Sequence, residues 1–343
     1  MMVGSYALSI TLFLAFSPLI DLMHHSLKVL RPSAPDYSIT AETGVPKSLA
    51  DELNSLTFVK NAYGKTIQYD VGMEGAYNIG TCDDLQFSWA EQDLLEGSID
   101  LQENEVLAVH NGSYDLHPGD SVQLKNGHTV QISGILSQSP YTFATNTQCL
   151  ICTEETYEAI FGEAPYTILD IQFTKDVTDD DVAKLRTLAG EECSFSDSRQ
   201  SNSEAMGAYF SLSLFVYGFL VIIALITIFN IVNTVNMGVS AHIKQYGAMR
   251  AIGMSTRQLV RMVRAETVTY AVTGSIVGCL LGVYVHRLLF LSMITKRWGD
   301  EWNAPLLLLL TVAAVVILSA YMEVYQPTKR IRDLSIVDTI DAE

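Results

Sequence analysis

The sequence has 343 residues, room for two folded units, and combines a positive mean hydropathy with a formal net charge of −17. These properties conflict in a soluble globule but not when segregated: Asp21–Glu204 holds 30 acids and 10 bases, net −20, and the remainder is net +3. Such acidity argues against nucleic-acid binding, which needs clustered Lys and Arg, and describes a solvated acidic face.

A helix rising about 1.5 Å per residue crosses ~30 Å of hydrocarbon in about 20 residues. The first apolar run of that length is Val3–Leu22. It lacks a basic n-region and a small-x-small cleavage site and carries Pro18, so it reads as an uncleaved span over 3–24 rather than a signal peptide. Only two residues precede it, an opening that suits a piece of a longer, duplicated protein as well as a complete chain. His24 and His25 fall at its membrane boundary with no acidic or His partner at i+4, which predicts interfacial placement.

Residues 25–205 read as a mixed α+β segment. Pro46–Leu56 suits a short helix, and Glu105–Val109 and Ser121–Leu136 suit strands. Asn126-Gly127 lies between alternating Val122/Leu124 and Val130/Ile132, which predicts a hairpin with a type I′ turn, positive in φ at both central residues. Tyr166–Phe173 alternates as a strand. Thr178 then caps a helix to Ala189 whose positive end favours Asp179, Asp180 and Asp181, Gly190 ends it, and Cys193–Phe195 follows as a strand: a β-α-β unit. Small polar residues over Ser198–Gly207 predict a stalk continuous with the second span. Cys82, Cys149, Cys152 and Cys193 permit disulfides, whereas Cys149-x-x-Cys152 lacks the helix start of a redox motif and the two further ligands of a zinc site. His110 and His117 flank a Gly-containing loop and suit a turn.

Three more apolar runs follow. Tyr209–Val232 has no charged side chain, Thr267–Leu291 is interrupted late by His286 and Arg287, and Ala304–Val324 is rich in Leu, Val and Ala. Lys244, Arg250, Arg257, Arg261 and Arg264, against Glu266, mark the loop after the second span as cytoplasmic, as Lys329, Arg330 and Arg332 mark the tail. Residues 25–205 and the short 292–303 loop then lie outside. The expected fold is a multi-pass α-helical membrane protein with transmembrane helices at 3–24, 209–232, 267–291 and 304–325, and an α+β extracytoplasmic domain between helices 1 and 2. Gly274, Gly278 and Gly282, spaced by four, predict a close helix–helix seam, within the chain or across a dimer. Glu266 and Glu323 sit near span ends, where a charged side chain reaches water.

The cytoplasmic loop, 237–264, carries the most information. Ile243, Tyr246, Met249/Arg250 and Ile252/Gly253 recur at helical spacing until Gly253-Met254-Ser255 breaks the pattern. Ser255 or Thr256 can cap a second helix bearing Leu259, Val260 and Val263, with Arg257, Arg261 and Arg264 on another face. Helix, tight turn and helix below the membrane suit a coupling element seated in a partner's groove, and equally an interfacial helix held by lipid headgroups.

The run Gln245-Tyr246-Gly247-Ala248-Met249-Arg250-Ala251-Ile252-Gly253-Met254-Ser255 resembles the signature of FtsX-like (MacB-type) ABC transporter permeases, R-x-x-E-I-G-x-x-R-A-x-G-A-S. Asn230 and Asn233 near the end of the second span fit the same family. Gln326–Ile331 followed by Ser335–Ile340 resembles its closing motif, P-x-x-[KR]-I…P-[IV]-E-A-I. The order of one span, an outer domain and three spans matches as well, with 206–343 as the permease domain. His242 stands where the family has Arg, Gln245 where it has Glu and Ser335 where it has Pro. The resemblance implies a permease subunit working with a separate ABC ATPase and paired as a homodimer or with a second permease half. It would turn ATP-driven closure into motion of the outer domain, acting on peptides, lipids or lipoproteins. His242, Gln245, Tyr246, Gly247, Arg250, Ala251, Gly253 and Ser255 would form the ATPase-coupling loop. A sensor or regulator for antimicrobial peptides or cell-wall hydrolases is the alternative. With no G-x-x-x-x-G-K-[ST], H-E-x-x-H or G-x-S-x-G, the sequence offers no basis for an enzyme or a cofactor. A secondary transporter would need polar mid-membrane residues that the second span lacks.

Overall fold

A computed structural model describes residues 2–26, 31–112, 115–140, 147–174 and 177–323. The closing motif within 326–340 and the basic tail lie outside the described residues. The chain divides into a helical unit, formed by the segment up to Met23, Ser211–Met293 and the segment from Trp302, and an outer unit, formed by His24–Phe210 with Ile294–Glu301.

The chain starts with helix α1 (Met2–Phe16) and, beyond a break at Ser17, helix α2 (Pro18–Ser26). The expected single span is thus two helices. Pro18 has no N–H to give the helical ladder, and the Ser17 hydroxyl donates to Leu14 O at 2.9 Å.

The outer unit contains β1 (Tyr37–Val45), α3 (Lys47–Asn54), β2 (Val59–Lys65), β3 (Ile67–Gln68), β4 (Tyr77–Cys82), α4 (Asp84–Ala90), β5 (Leu94–Gly97), β6 (Glu105–Val109), β7 (Ser121–Gln123), β8 (Thr129–Leu136), β9 (Gln148–Thr153), α5 (Glu154–Phe161), β10 (Tyr166–Phe173), α6 (Asp179–Ala189) and β11 (Cys193–Asp197). Two sheets result. The first has order β11-β1-β10-β2 with every neighbouring pair antiparallel, two split β-α-β units interleaved as in ferredoxin-like folds. Along β1 and β10, Tyr37, Ile39, Leu169, Ile171 and Phe173 point to one face and bury against Leu49 and Leu53 of α3 and Val182 and Leu185 of α6. The second sheet, order β3-β4-β9-β6-β8-β5 with β7 on β8, is inserted between β2 and β10. Its inner strands β4 and β9 pair in parallel and are buried almost throughout, so they read as runs rather than alternations.

The local signals explain the helix ends. Thr178 and Asp181 form a capping box at the start of α6, and Gly190, at φ +89°, ends it. The β7–β8 hairpin forms as expected, but its turn is not type I′. Gly127 N donates to Leu124 O (3.0 Å), Leu124 N to His128 O (2.8 Å), and positive φ falls on Gly127 while Asn126 keeps an ordinary one. This is a three-residue loop with a G1 bulge, which needs one left-handed residue instead of two. The predicted interfacial His25 instead meets a distant carboxylate, with Nε2 3.1 Å from Asp300 Oδ2. His110 packs against the same short loop, since a Cβ on Gly299 would lie 3.0 Å from its ring. No disulfide forms among the described residues, and Cys82, Cys149 and Cys152 are buried.

Helix α7 (Arg199–Ala241) runs unbroken for 43 residues, covering the expected stalk and the second apolar run. Next come α8 (Ile243–Ala251), α9 (Thr256–Phe290), a π-helical turn at Leu291–Thr295, α10 (Lys296–Trp298) and α11 (Leu306–Glu323). Val3–Ser26, Arg199–Phe229 and Arg257–Trp298 are long and apolar enough to cross a membrane, and Leu306–Ser319 is a shorter apolar stretch. Helices α1 and α9 pack with almost no space between them. A Cβ on Gly274 would come within 2.6 Å of Tyr6 Cβ, one on Gly278 within 2.9 Å of Ala7 Cα, and one on Gly282 within 2.4 Å of a Leu14 methyl. The glycine stripe therefore faces α1 of the same chain, letting the two backbones approach.

Candidate coupling elbow

The turn between α8 and α9 is built from two interlocking helix caps. Helix α8 ends in a Schellman motif: Met254 N donates to Met249 O (3.0 Å) and Gly253 N to Arg250 O (3.1 Å). That geometry places Gly253 at φ +106°, a conformation L side chains resist. Helix α9 begins two residues later with Ser255 as N-cap. Gln258 N donates to its hydroxyl, and Ser255 N donates to Gln258 Oε1 at 2.9 Å. The spacing S-x-x-Q supplies this capping box, and Ser255 rather than Thr256 is the cap.

Tyr246 fixes the angle between the helices from inside. Its side chain is buried with Leu259 and Val263 of α9, edged by Met254 and Met262. Gly247 beside it is also buried. Ile252, which the spacing placed on the same stripe as Tyr246, does the opposite. As the C-cap residue it leaves the helical path and is 87% exposed, flanked by exposed Ala251 and Gly253. An apolar tip on a rigid turn is the feature the sequence reading missed; the signal was its place immediately before the C′ glycine.

At the other end of α8, His242 Nδ1 lies 2.9 Å from Gln245 Oε1, the imidazole N–H donating. Two of the positions that depart from the family signature are thus partners of each other, joined by a hydrogen bond. The expected site residues are therefore spread along one helix and its turn rather than gathered in a pocket: His242, Gln245 and Tyr246 at the start, Arg250, Ala251, Gly253 and Ser255 at the tip. Arg257 and Arg261 are exposed on the first turns of α9. Arg264 differs: its Nη1 donates to the Tyr321 hydroxyl at 3.2 Å and its guanidinium lies 4.7 Å from that ring's centroid, tying α9 to α11. Among the described residues no group of three His, Cys, Asp or Glu is gathered as a metal would require.

This elbow lies within residues 217–332, which match the family model for the FtsX-like permease C-terminal domain. Among solved structures, the chain is similar to the periplasmic region of MacB from Actinobacillus actinomycetemcomitans, at 12% identity and a TM-score of 0.39, over 52% of this chain and 97% of that one. It is also similar to the extracellular domain of the noncanonic ABC-type transporter YknZ from Gram-positive bacteria, at 10% identity and a TM-score of 0.37, over 46% and 98%. No curated protein matches the chain.

Proposed function

We propose that this chain is the permease subunit of an ABC transporter, lodged in the cell membrane by four transmembrane helices and worked by a separate ATPase docked on the α8–α9 elbow. The observation that carries this reading is the exposed Ile252 held on a double-capped turn. The two caps hold Ile252 out on a fixed turn and keep it from folding back, the presentation a partner's groove needs. In this reading Ile252 seats in an ATPase groove, Arg250, Arg257 and Arg261 set the register, and Tyr246 transmits the push to α9. Helix α9 spans 35 residues, about 52 Å at 1.5 Å per residue, longer than the hydrocarbon it crosses. The 18-residue α11 spans about 27 Å, enough for a fourth crossing.

Ile294–Glu301, the turn following α9, belongs to the outer unit, where Gly299 fits against His110 and Asp300 meets His25. This supports the topology with 25–205 and 292–303 outside and the elbow and C-terminus in the cytoplasm. ATP-driven movement of the elbow would then reach the outer domain, for export or mechanical work on peptides, lipids or lipoproteins. Pairing as a homodimer or with a second permease half completes the proposed assembly.

The test is Gly253→Trp. A Cβ there meets no atom within 4 Å, so the fold has space for it, but φ +106° strains the cap and the indole would occupy the docking face. The variant inserts normally and loses permease-stimulated ATP hydrolysis by its ATPase; unchanged stimulation would remove the elbow from the coupling path.

A further inference from the structure

The four-stranded sheet has a second face, opposite α3 and α6, and it is polar. Residues that alternate with the core set, Ser38 and Thr40 of β1, Lys65 of β2, Asp170 of β10 and Ser196 of β11, line a cleft of about 510 Å³, within the usual size range of small-molecule sites. Its rim is tied down: Tyr63 Oη donates to Ser33 O (2.9 Å), Gln172 Nε2 to Ala34 O (3.0 Å) and Asn202 Nδ2 to Pro35 O (2.8 Å). Arg31 reaches in from this rim, its Nη1 donating to Ser139 O at 2.6 Å.

The floor holds an ion pair. Lys65 Nζ lies 2.5 Å from Asp170 Oδ2, both side chains more than nine-tenths buried, and the Ser38 hydroxyl donates to Asp170 Oδ1 at 2.6 Å. Buried pairs of this kind stabilise poorly compared with apolar residues of equal volume, so stability alone is a weak reason for one at the bottom of a cleft. With Arg31, the lining sums to one positive charge inside a region whose net charge is −20. A concave, low-dielectric wall concentrates that field.

We propose that this cleft binds a small polar ligand through an oxyanion group, with Arg31 as its anchor, Lys65 setting the potential of the floor, and the hydroxyls of Thr40 and Ser196 donating beside them. The proposal is independent of ATPase coupling. A guanidinium carries five donors, and Ser139 takes one. Asp93 also lies within electrostatic range of Arg31, outside the cleft lining, so the ligand competes with it for the guanidinium.

Isothermal titration of the full chain in detergent with inorganic phosphate tests this. Phosphate should bind once per chain. Arg31→Gln should weaken it by about tenfold or more, the scale of a lost charge-assisted hydrogen bond. Ser196→Trp, at an exposed position of edge strand β11, should block the cleft with the melting midpoint unchanged, and Asp93→Asn should tighten binding. Short-chain phosphatidylglycerol competing with phosphate assigns the site to a lipid headgroup; failure to compete assigns it to a soluble oxyanion. No phosphate binding, equal binding in Arg31→Gln and Ser196→Trp, or weaker binding in Asp93→Asn would overturn the proposal.

Discussion

The outer and helical units obey opposite rules of exposure. Among the described residues of the outer unit, Tyr69, Met73, Leu188 and Phe210 are the large apolar side chains left substantially exposed, and acids cover much of the rest. In the helical unit the pattern inverts: Leu214, Phe215, Val221, Ile226 and Phe229 of α7 and Leu307 and Leu310 of α11 stand exposed along faces with hardly a charge. Water cannot be the solvent of both surfaces. The outer unit gains stability by taking apolar area out of water, whereas a helix in lipid gains nothing that way and must associate by close packing. The α1–α9 seam, where glycines bring backbones into contact, and the core between sheet and helices in the outer unit are two solutions fitted to two solvents.

Disrupting each solution should produce a different failure. Gly278→Leu would force a side chain where even a Cβ comes within 2.9 Å of the Ala7 backbone, with no flexible neighbour to yield. This is the largest expected effect, beyond about 3 kcal/mol, because overpacking against backbone cannot be relieved by a rotamer change. The measurement is size-exclusion chromatography in detergent, where the monodisperse peak should be lost. Lys65→Ala attacks the outer unit by leaving Asp170 buried without its cation; the outer unit should lose about 3–5 kcal/mol in urea unfolding. Recovery of most of that loss in a Lys65→Met, Asp170→Leu double variant would sharpen the case that the pair is retained for binding.

The smallest effect lies at the exposed cap of α6. Hydrogen bonds from Thr178 and Lys184 hold the Asp181 carboxyl down at about 2. A depressed folded-state pKa stabilises above the ordinary carboxylate value of about 3.9, and the gain fades as pH falls through the folded value. Asp181→Ala should therefore melt slightly below the parent chain at pH 7, and the gap should close as pH falls toward 2.

Sequence reasoning reached local features and stopped at non-local ones. Thr178, Gly190 and Ser255 announced their caps because capping is settled within four residues, and the apolar runs announced themselves because hydrocarbon thickness sets a length. The hairpin was legible at Asn126-Gly127 but its turn type was not, since both loops accept Asn-Gly and the register of β7 on β8 decides between them. Pro18 was visible, yet the break into α1 and α2 was absorbed into one hydropathy window. The His25–Asp300 contact and the polar cleft join residues more than a hundred positions apart, which no periodicity encodes. In the elbow, spacing located Tyr246 and Gly253 but misassigned Ile252, because the C-cap residue leaves the helical screw on which the stripe was counted.

The central claim is that the elbow lies in the cytoplasm under a partner ATPase. Labelling of an Ile252→Cys variant by a membrane-impermeant maleimide, with the native cysteines replaced by alanine, tests it most directly. Inside-out vesicles should label, right-side-out vesicles should not, and added ATPase should protect the thiol. Labelling from the outside, or no protection by the ATPase, would contradict the account.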